Sequence, residues 1–150
     1  MIYISLGSNI GDPKSNLELA CGYLLDFANI KSKSEAVVTK ALLPEGAPES
    51  WDMPFMNQVV GLTTRLDPHS LLSALKSIEV KMGRTSKAFW APRIIDLDIL
   101  WFNGLAITSP TLTIPHKEII HRQFIIDLMH SLAPDVTAQI IAHQKANLDI

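Results

Sequence analysis

Twice in this chain an apolar, β-branched run gives way to Asp-Pro and then to apolar residues at helical spacing. Aspartate caps the free amides of a first helical turn, and proline fits that turn because its missing N–H has no partner to lose. Each Asp-Pro therefore marks a strand-to-helix boundary. The first follows residues 2–6 and the turn Gly7-Ser8-Asn9-Ile10-Gly11. Asp12-Pro13 then opens a helix with Leu17, Ala20, Leu24 and Phe27 on one face, running to about residue 28. The second follows a valine- and threonine-rich run over residues 55–66. Asp67-Pro68 opens a helix with Leu71, Leu75, Ile78 and Met82 on one face.

The intervening residues complete the pattern. Residues 31–40 alternate enough for a strand. Residues 41–54 hold three prolines, one glycine and no period, which predicts a long loop. Residues 83–93 are irregular, and residues 94–102 form a strongly apolar strand interrupted by two aspartates. Asn103-Gly104 is a hairpin signal. A short strand, a turn at Ile114-Pro115-His116, a helix over 123–132 and a helical tail after Pro134 follow. The order strand, helix, strand, strand, helix, strand predicts an α+β fold, a ferredoxin-like βαββαβ sandwich with extra C-terminal elements. That fold hosts many activities, so function must be read from the site.

Composition narrows the classes. A chain of 150 residues suits one domain, taken as residues 1–150. With 47% hydrophobic and 19% charged residues it should bury a core rather than stay disordered. A net charge of -2 excludes a wholly basic nucleic-acid binder, so any anion site must be local. Cys21 is the single cysteine and sits on the apolar face of the first helix, so no internal disulfide can form. No secretory pattern opens the chain, and no apolar run approaches the ~20 residues a bilayer crossing needs. The expectation is a cytoplasmic protein with no membrane and no nucleic-acid partner.

Asp96-Leu97-Asp98 carries the strongest chemical signal. Alternation along a strand points both carboxylates to one face and Ile95, Leu97 and Ile99 to the core. Two adjacent carboxylates disfavour each other's ionisation, and a divalent cation relieves this. Two idle surface acids are the alternative for such a pair alone, though the otherwise apolar strand argues against it. Just before it, residues 83–93 hold Arg84, Lys87 and Arg93 with no acid, and also Trp90. Arginine's planar fork suits phosphate, so this segment reads either as a lid over a polyphosphate or as a solvated loop. His116 and Arg122 could hold further phosphate, although a lone histidine is more often structural. Glu79 borders the apolar face of the second helix and could accept from a ribose hydroxyl or an adenine amine; spacing alone favours a surface glutamate. Asn57 shares a strand face with Phe55 and offers both a donor and an acceptor to a polar heterocycle.

In this order, the pieces resemble the 6-hydroxymethyl-7,8-dihydropterin pyrophosphokinase family. The matching stretches are Ser5-Leu6-Gly7-Ser8-Asn9, Phe55-Met56-Asn57, Glu79 with Gly83-Arg84, residues 90–100 and Leu112-Thr113-Ile114-Pro115-His116 through Arg122-Gln123-Phe124. The resemblance implies pyrophosphoryl transfer from ATP, the co-substrate, to the hydroxymethyl group of the pterin, releasing AMP, as a step of folate biosynthesis. It implies that Asp96 and Asp98 hold two magnesium ions, with Arg84 and Arg93 neutralising phosphate charge. Glu79, Trp90, Ile99, Thr113, His116, Lys117 and Arg122 would bind the nucleotide. Leu43, Phe55, Asn57 and Phe124 would meet the pterin, the two phenylalanines stacking on it. A monomer is expected, or alternatively a module of a larger folate-pathway enzyme.

The chain departs from the family at several points. The first loop lacks the frequent T-x-P-x-G text, Phe55 replaces a frequent tyrosine, and Ser86 and Phe89 stand where basic residues are common. Ala91 replaces a usual glycine, and Thr111 a frequent arginine for which Lys117 could compensate. A working enzyme with altered ATP affinity is the expectation. Two other classes compete. A nucleotidyl cyclase or polymerase-palm domain shares the paired acids but wants a basic groove in its polymerase form. An RNA-recognition sheet wants an aromatic pair and a basic face, which Tyr3 and Phe55 beside two aspartates do not supply.

Overall fold

The computed structural model describes residues 1–41, 43–83 and 93–148. Both Asp-Pro pairs cap helices as expected. Asp12 accepts from Ser15 N at 3.3 Å and opens α1 (Pro13–Leu24). Asp67 accepts from Ser70 N at 2.8 Å and opens α2 (Pro68–Lys81). The strands around them are β1 (Ile2–Ser8), β2 (Ala28–Lys33), β3 (Val37–Thr39), β4 (Phe55–Thr64) and β5 (Asp96–Phe102). They form one antiparallel sheet in the order β2-β4-β1-β5, with β3 also pairing β4. Strands β6 (Ile107–Thr108) and β7 (Thr113–Ile114) form a separate pair, and α3 (Gln123–Leu132) and α4 (Pro134–Leu148) follow. The fold is α+β.

Three layers result. On one face, Ile4, Leu6, Val60, Leu62 and Leu97 pack against Leu17, Leu24, Leu71 and Leu75 of α1 and α2. On the other, Tyr3, Val59, Leu100 and Trp101 pack under Ile125, Leu128 and Met129 of α3 and Ile140 of α4. A register shift between β1 and β5 lets Leu100 and Trp101 both join this second cluster. Beyond the shift, Ser5 lies opposite Asp98 and Gly7 opposite Asp96, so these four share a face.

Five sequence boundaries need correction. The first helix ends at Leu24, because the amides of Leu25, Asp26 and Phe27 turn back to Gly22, Tyr23 and Leu24. Ala28 instead starts β2, opposite Thr64. The strand expected over residues 31–40 is two strands, separated at Ser34. There the Ser34 amide donates to Val59 O at 2.8 Å while its hydroxyl accepts from Val59 N at 2.9 Å. The side chain thus replaces a ladder partner and lets the strand break without orphaning β4. The third strand ends at Thr64, and the ladder of the fourth starts only at Asp96. Asn103 and Gly104 do form a turn with positive φ of 51° and 80°. It does not close a hairpin, since β6 pairs with β7. The helices after residue 122 lie where expected.

Candidate active site

The sheet face beneath α3 and α4 carries charge near the start of β5. Asp96 and Asp98 point there, with side chains 24% and 26% exposed, while Leu97 between them is fully buried on the opposite face. Removal from water and then the neighbouring Asp96 charge push the Asp98 carboxyl up to about 7. Arg93 Nη1 lies 3.3 Å from Asp96 Oδ2. Arg93 Nε is buried with no hydrogen-bond partner among the described residues. A guanidinium nitrogen in that state is positioned to donate to an incoming anion.

His116 faces the same spot. Its Nδ1 accepts from Glu118 N at 3.2 Å, which puts the proton of the neutral ring on Nε2, 3.8 Å from Asp98 Oδ1. Burial first, and the Arg122 charge second, lower its pKa to about 4. At neutral pH the contact is therefore a neutral imidazole beside a carboxyl, not an ion pair. Arg122 also lowers the Asp98 pKa, so its charge reaches both groups. Arg122 stands at the N-terminus of α3, half-buried, and Lys117 is exposed.

Glu79 is not the surface glutamate that spacing favoured. It is 3% exposed; Oε2 accepts from Leu97 N at 2.9 Å and Lys76 Nζ lies 3.3 Å from Oε1. Helix α2 thus holds the backbone of the residue between the two aspartates. Ile99 is 2% exposed within the first core cluster and presents almost no surface to a ligand. Thr113 is half-buried in β7.

Of the residues expected to meet the pterin, Phe55 and Asn57 lie on β4, Phe124 on α3 and Leu43 in the loop before β4. Phe55 and Phe124 are half-buried, and Leu43 is 38% exposed. Asn57 is 8% exposed and donates from Nδ2 to Thr39 Oγ1 at 2.8 Å. Gly7, opposite Asn57 on β1, is closely packed: a Cβ there would lie 3.2 Å from Asn57 Oδ1 and 3.7 Å from Phe55 Cδ1. Of the predicted site residues, Arg84 and Trp90 lie outside the described residues.

Sequence reasoning gave Asn9 no role, yet this 1% exposed side chain joins three segments. Its Oδ1 accepts from Arg93 N at 2.7 Å and its Nδ2 donates to Met53 O at 3.2 Å. Its backbone N donates to Arg93 O at 3.1 Å. Its place in Ser5-Leu6-Gly7-Ser8-Asn9 was the available signal. A cleft of about 370 Å³ between α3 and α4, lined by Ile126, Asp127, His130 and Thr137 among others, contains none of the predicted residues.

Among the described residues, no group of three or more His, Cys, Asp or Glu could cage a metal. Two carboxylates do suit magnesium, which takes one or two and fills its remaining positions with phosphate oxygens and water.

The family model for 7,8-dihydro-6-hydroxymethylpterin-pyrophosphokinase (HPPK) matches residues 3–134. A 2-amino-4-hydroxy-6-hydroxymethyldihydropteridine pyrophosphokinase of Methylorubrum extorquens is 31% identical over 98% of this chain and 92% of its own length. A Folate synthesis bifunctional protein of Chlamydia trachomatis is 39% identical over 89% of this chain, which spans only 30% of that relative's length. A crystal structure of an HPPK-DHPS in complex with substrates superposes with a TM-score of 0.63 at 16% identity, over 99% of this chain and 43% of the other, and shows the shared fold. The chain belongs to the 7,8-dihydro-6-hydroxymethylpterin-pyrophosphokinase family.

Proposed function

We propose that this chain transfers the pyrophosphoryl group of ATP to the hydroxymethyl oxygen of 6-hydroxymethyl-7,8-dihydropterin. The oxygen attacks the β-phosphorus, the bond from that phosphorus to the α,β-bridging oxygen breaks, AMP leaves, and the hydroxyl proton passes to solvent. The observation that carries the reading is the convergence of Asp96, Asp98, Arg93 and His116 at one end of the sheet face, with a buried guanidinium nitrogen awaiting an acceptor. Such transfers need positioning and charge neutralisation more than a protein nucleophile.

Asp96 and Asp98 would hold magnesium, and we take the number of ions as two. Bound there, magnesium would neutralise phosphate charge and lower the cost of ionising the attacking hydroxyl. Arg93, Arg84 and Arg122 would donate to phosphate oxygens, and His116 would donate from Nε2. Lys117, Thr113 and Trp90 would line the rest of the nucleotide side, to which Ile99 and Glu79 present almost no side-chain surface. Phe55 and Phe124 would stack on the pterin, with Leu43 against it. Asn57 would read its polar edge through Oδ1 and the Nδ2 hydrogen that Thr39 leaves over.

The same proposal includes a ferredoxin-like arrangement, a single domain over residues 1–150, and a cytoplasmic monomer or a module of a larger folate enzyme. The order β2-β4-β1-β5, with α1 and α2 on one face, supports the first. The bifunctional relatives support the last.

The test is AMP release from ATP with magnesium and the pterin, run beside Asp96→Ala. AMP should require both pterin and metal, and should fall at least about a hundredfold in the variant, as expected for loss of a charge-stabilising group. A well-folded wild type that makes no pterin-dependent AMP at any magnesium concentration would refute the reading.

A further inference from the structure

Helix α4 begins where the residues matched by the family model end, at Pro134. Its buried positions are Thr137, Ile140 and Gln144. Two of these three are polar, and a polar group at a core position must find partners or cost stability. Thr137 does so locally, donating to Ala133 O just before the helix at 2.8 Å. Gln144 instead reaches across the molecule.

The Gln144 side chain is tied to the segment that presents His116. Nε2 donates to His116 O at 2.6 Å, and Oε1 accepts from Ile120 N at 2.9 Å. A carbonyl can only accept and an amide N–H can only donate, so the two partners fix which way the Gln144 amide faces. One side chain therefore grips both ends of residues 116–120. On the opposite side, His116 N donates to Leu100 O of β5 at 3.1 Å. Within the segment, Glu118 N donates to His116 Nδ1, and this sets the tautomer that points Nε2 at Asp98.

We propose that Gln144 is a positioning residue for the nucleotide side of the site. It holds residues 116–120 in the turn that aims the His116 ring at Asp98 and leads into Arg122. The inference rests on the pyrophosphokinase reading for the claim that His116 and Arg122 meet phosphate. Gln144 itself touches neither substrate. A glutamine that served only to fill the core would support both substrates equally, through stability alone.

The test compares the full chain with Gln144→Met, which keeps length and volume but removes the donor and the acceptor, and with Ile140→Ala, which weakens the same helix face without touching the turn. Magnesium-ATP is titrated calorimetrically without pterin, KM for pterin and kcat are measured, and the His116 ring is followed by nitrogen-15 NMR. Gln144→Met should weaken ATP binding about tenfold, as expected for one or two lost hydrogen bonds, and leave KM for pterin within about twofold. The His116 ring should lose its single Nε2-protonated form. Ile140→Ala should melt lower yet bind ATP like the wild type. Unchanged His116 resonances in Gln144→Met, an equal loss for both substrates, or the same ATP-selective loss in Ile140→Ala would each overturn the positioning role while leaving the pyrophosphokinase reading intact. Wild-type protein that binds no ATP would remove that reading, and this inference with it.

Discussion

Glu79 shows how far one residue's role can lie from its spacing. It falls one position after Ile78 of the apolar stripe, where helical geometry permits either exposure or burial. What decides is Leu97 N on a neighbouring strand, a buried donor needing an acceptor. Replacing Glu79 with alanine strands that amide, so Glu79→Ala should lose about 1–3 kcal/mol in urea unfolding and Glu79→Gln distinctly less. Equal losses would show that the charge, not the hydrogen bond, is what matters. Asp96 and Asp98 were legible because strand alternation is a local rule. Asn9 and Gln144 were not, because their partners are set by tertiary contact: Arg93 for the first and His116 for the second.

At the scale of elements, the Asp-Pro pairs predicted both helix starts, since capping is decided within one turn. Their ends, and the strand boundaries, depended on partners elsewhere. Residues 31–40 alternate enough for one strand, yet the ladder breaks where Ser34 turns its hydroxyl to Val59. Strand packing is also tight at Gly61 of β4. A Cβ there would stand 2.5 Å from Ser32 Oγ and 3.0 Å from Tyr3 Cε1. The serine can rotate, but the ring is wedged in the second core cluster. Gly61→Ala should therefore destabilise by about 1–3 kcal/mol, read as a lower urea midpoint at unchanged slope. A variant as stable as wild type would mean that the β2–β4 spacing yields more easily than these contacts suggest.

For the molecule as a whole, two half-buried titrations oppose each other. His116 has its pKa lowered from 6.5 to about 4, so its contribution is present above pH 6.5 and is lost as pH falls toward 4. Asp98 has its pKa raised from 3.8 to about 7, so its contribution is present at low pH and is lost as pH rises through 7. Between pH 4 and 6.5 the slopes cancel in part. Thermal melts in EDTA should be nearly flat there for the wild type, and should rise with pH for Asp98→Asn, which leaves His116 alone. A wild-type curve as steep as the variant's would contradict the opposition.

The sheet's outer edge has one more effect. Along β4, that edge is made of β2 and β3, whose register slips after Ile30 and breaks at Ser34, with Lys31 and Lys33 exposed. A stray strand trying to extend the sheet would meet misaligned donors, two positive charges and a serine whose polar groups are already committed. An edge built this way is a poor template for stacking chain upon chain, and it disfavours strand addition on that side of the sheet.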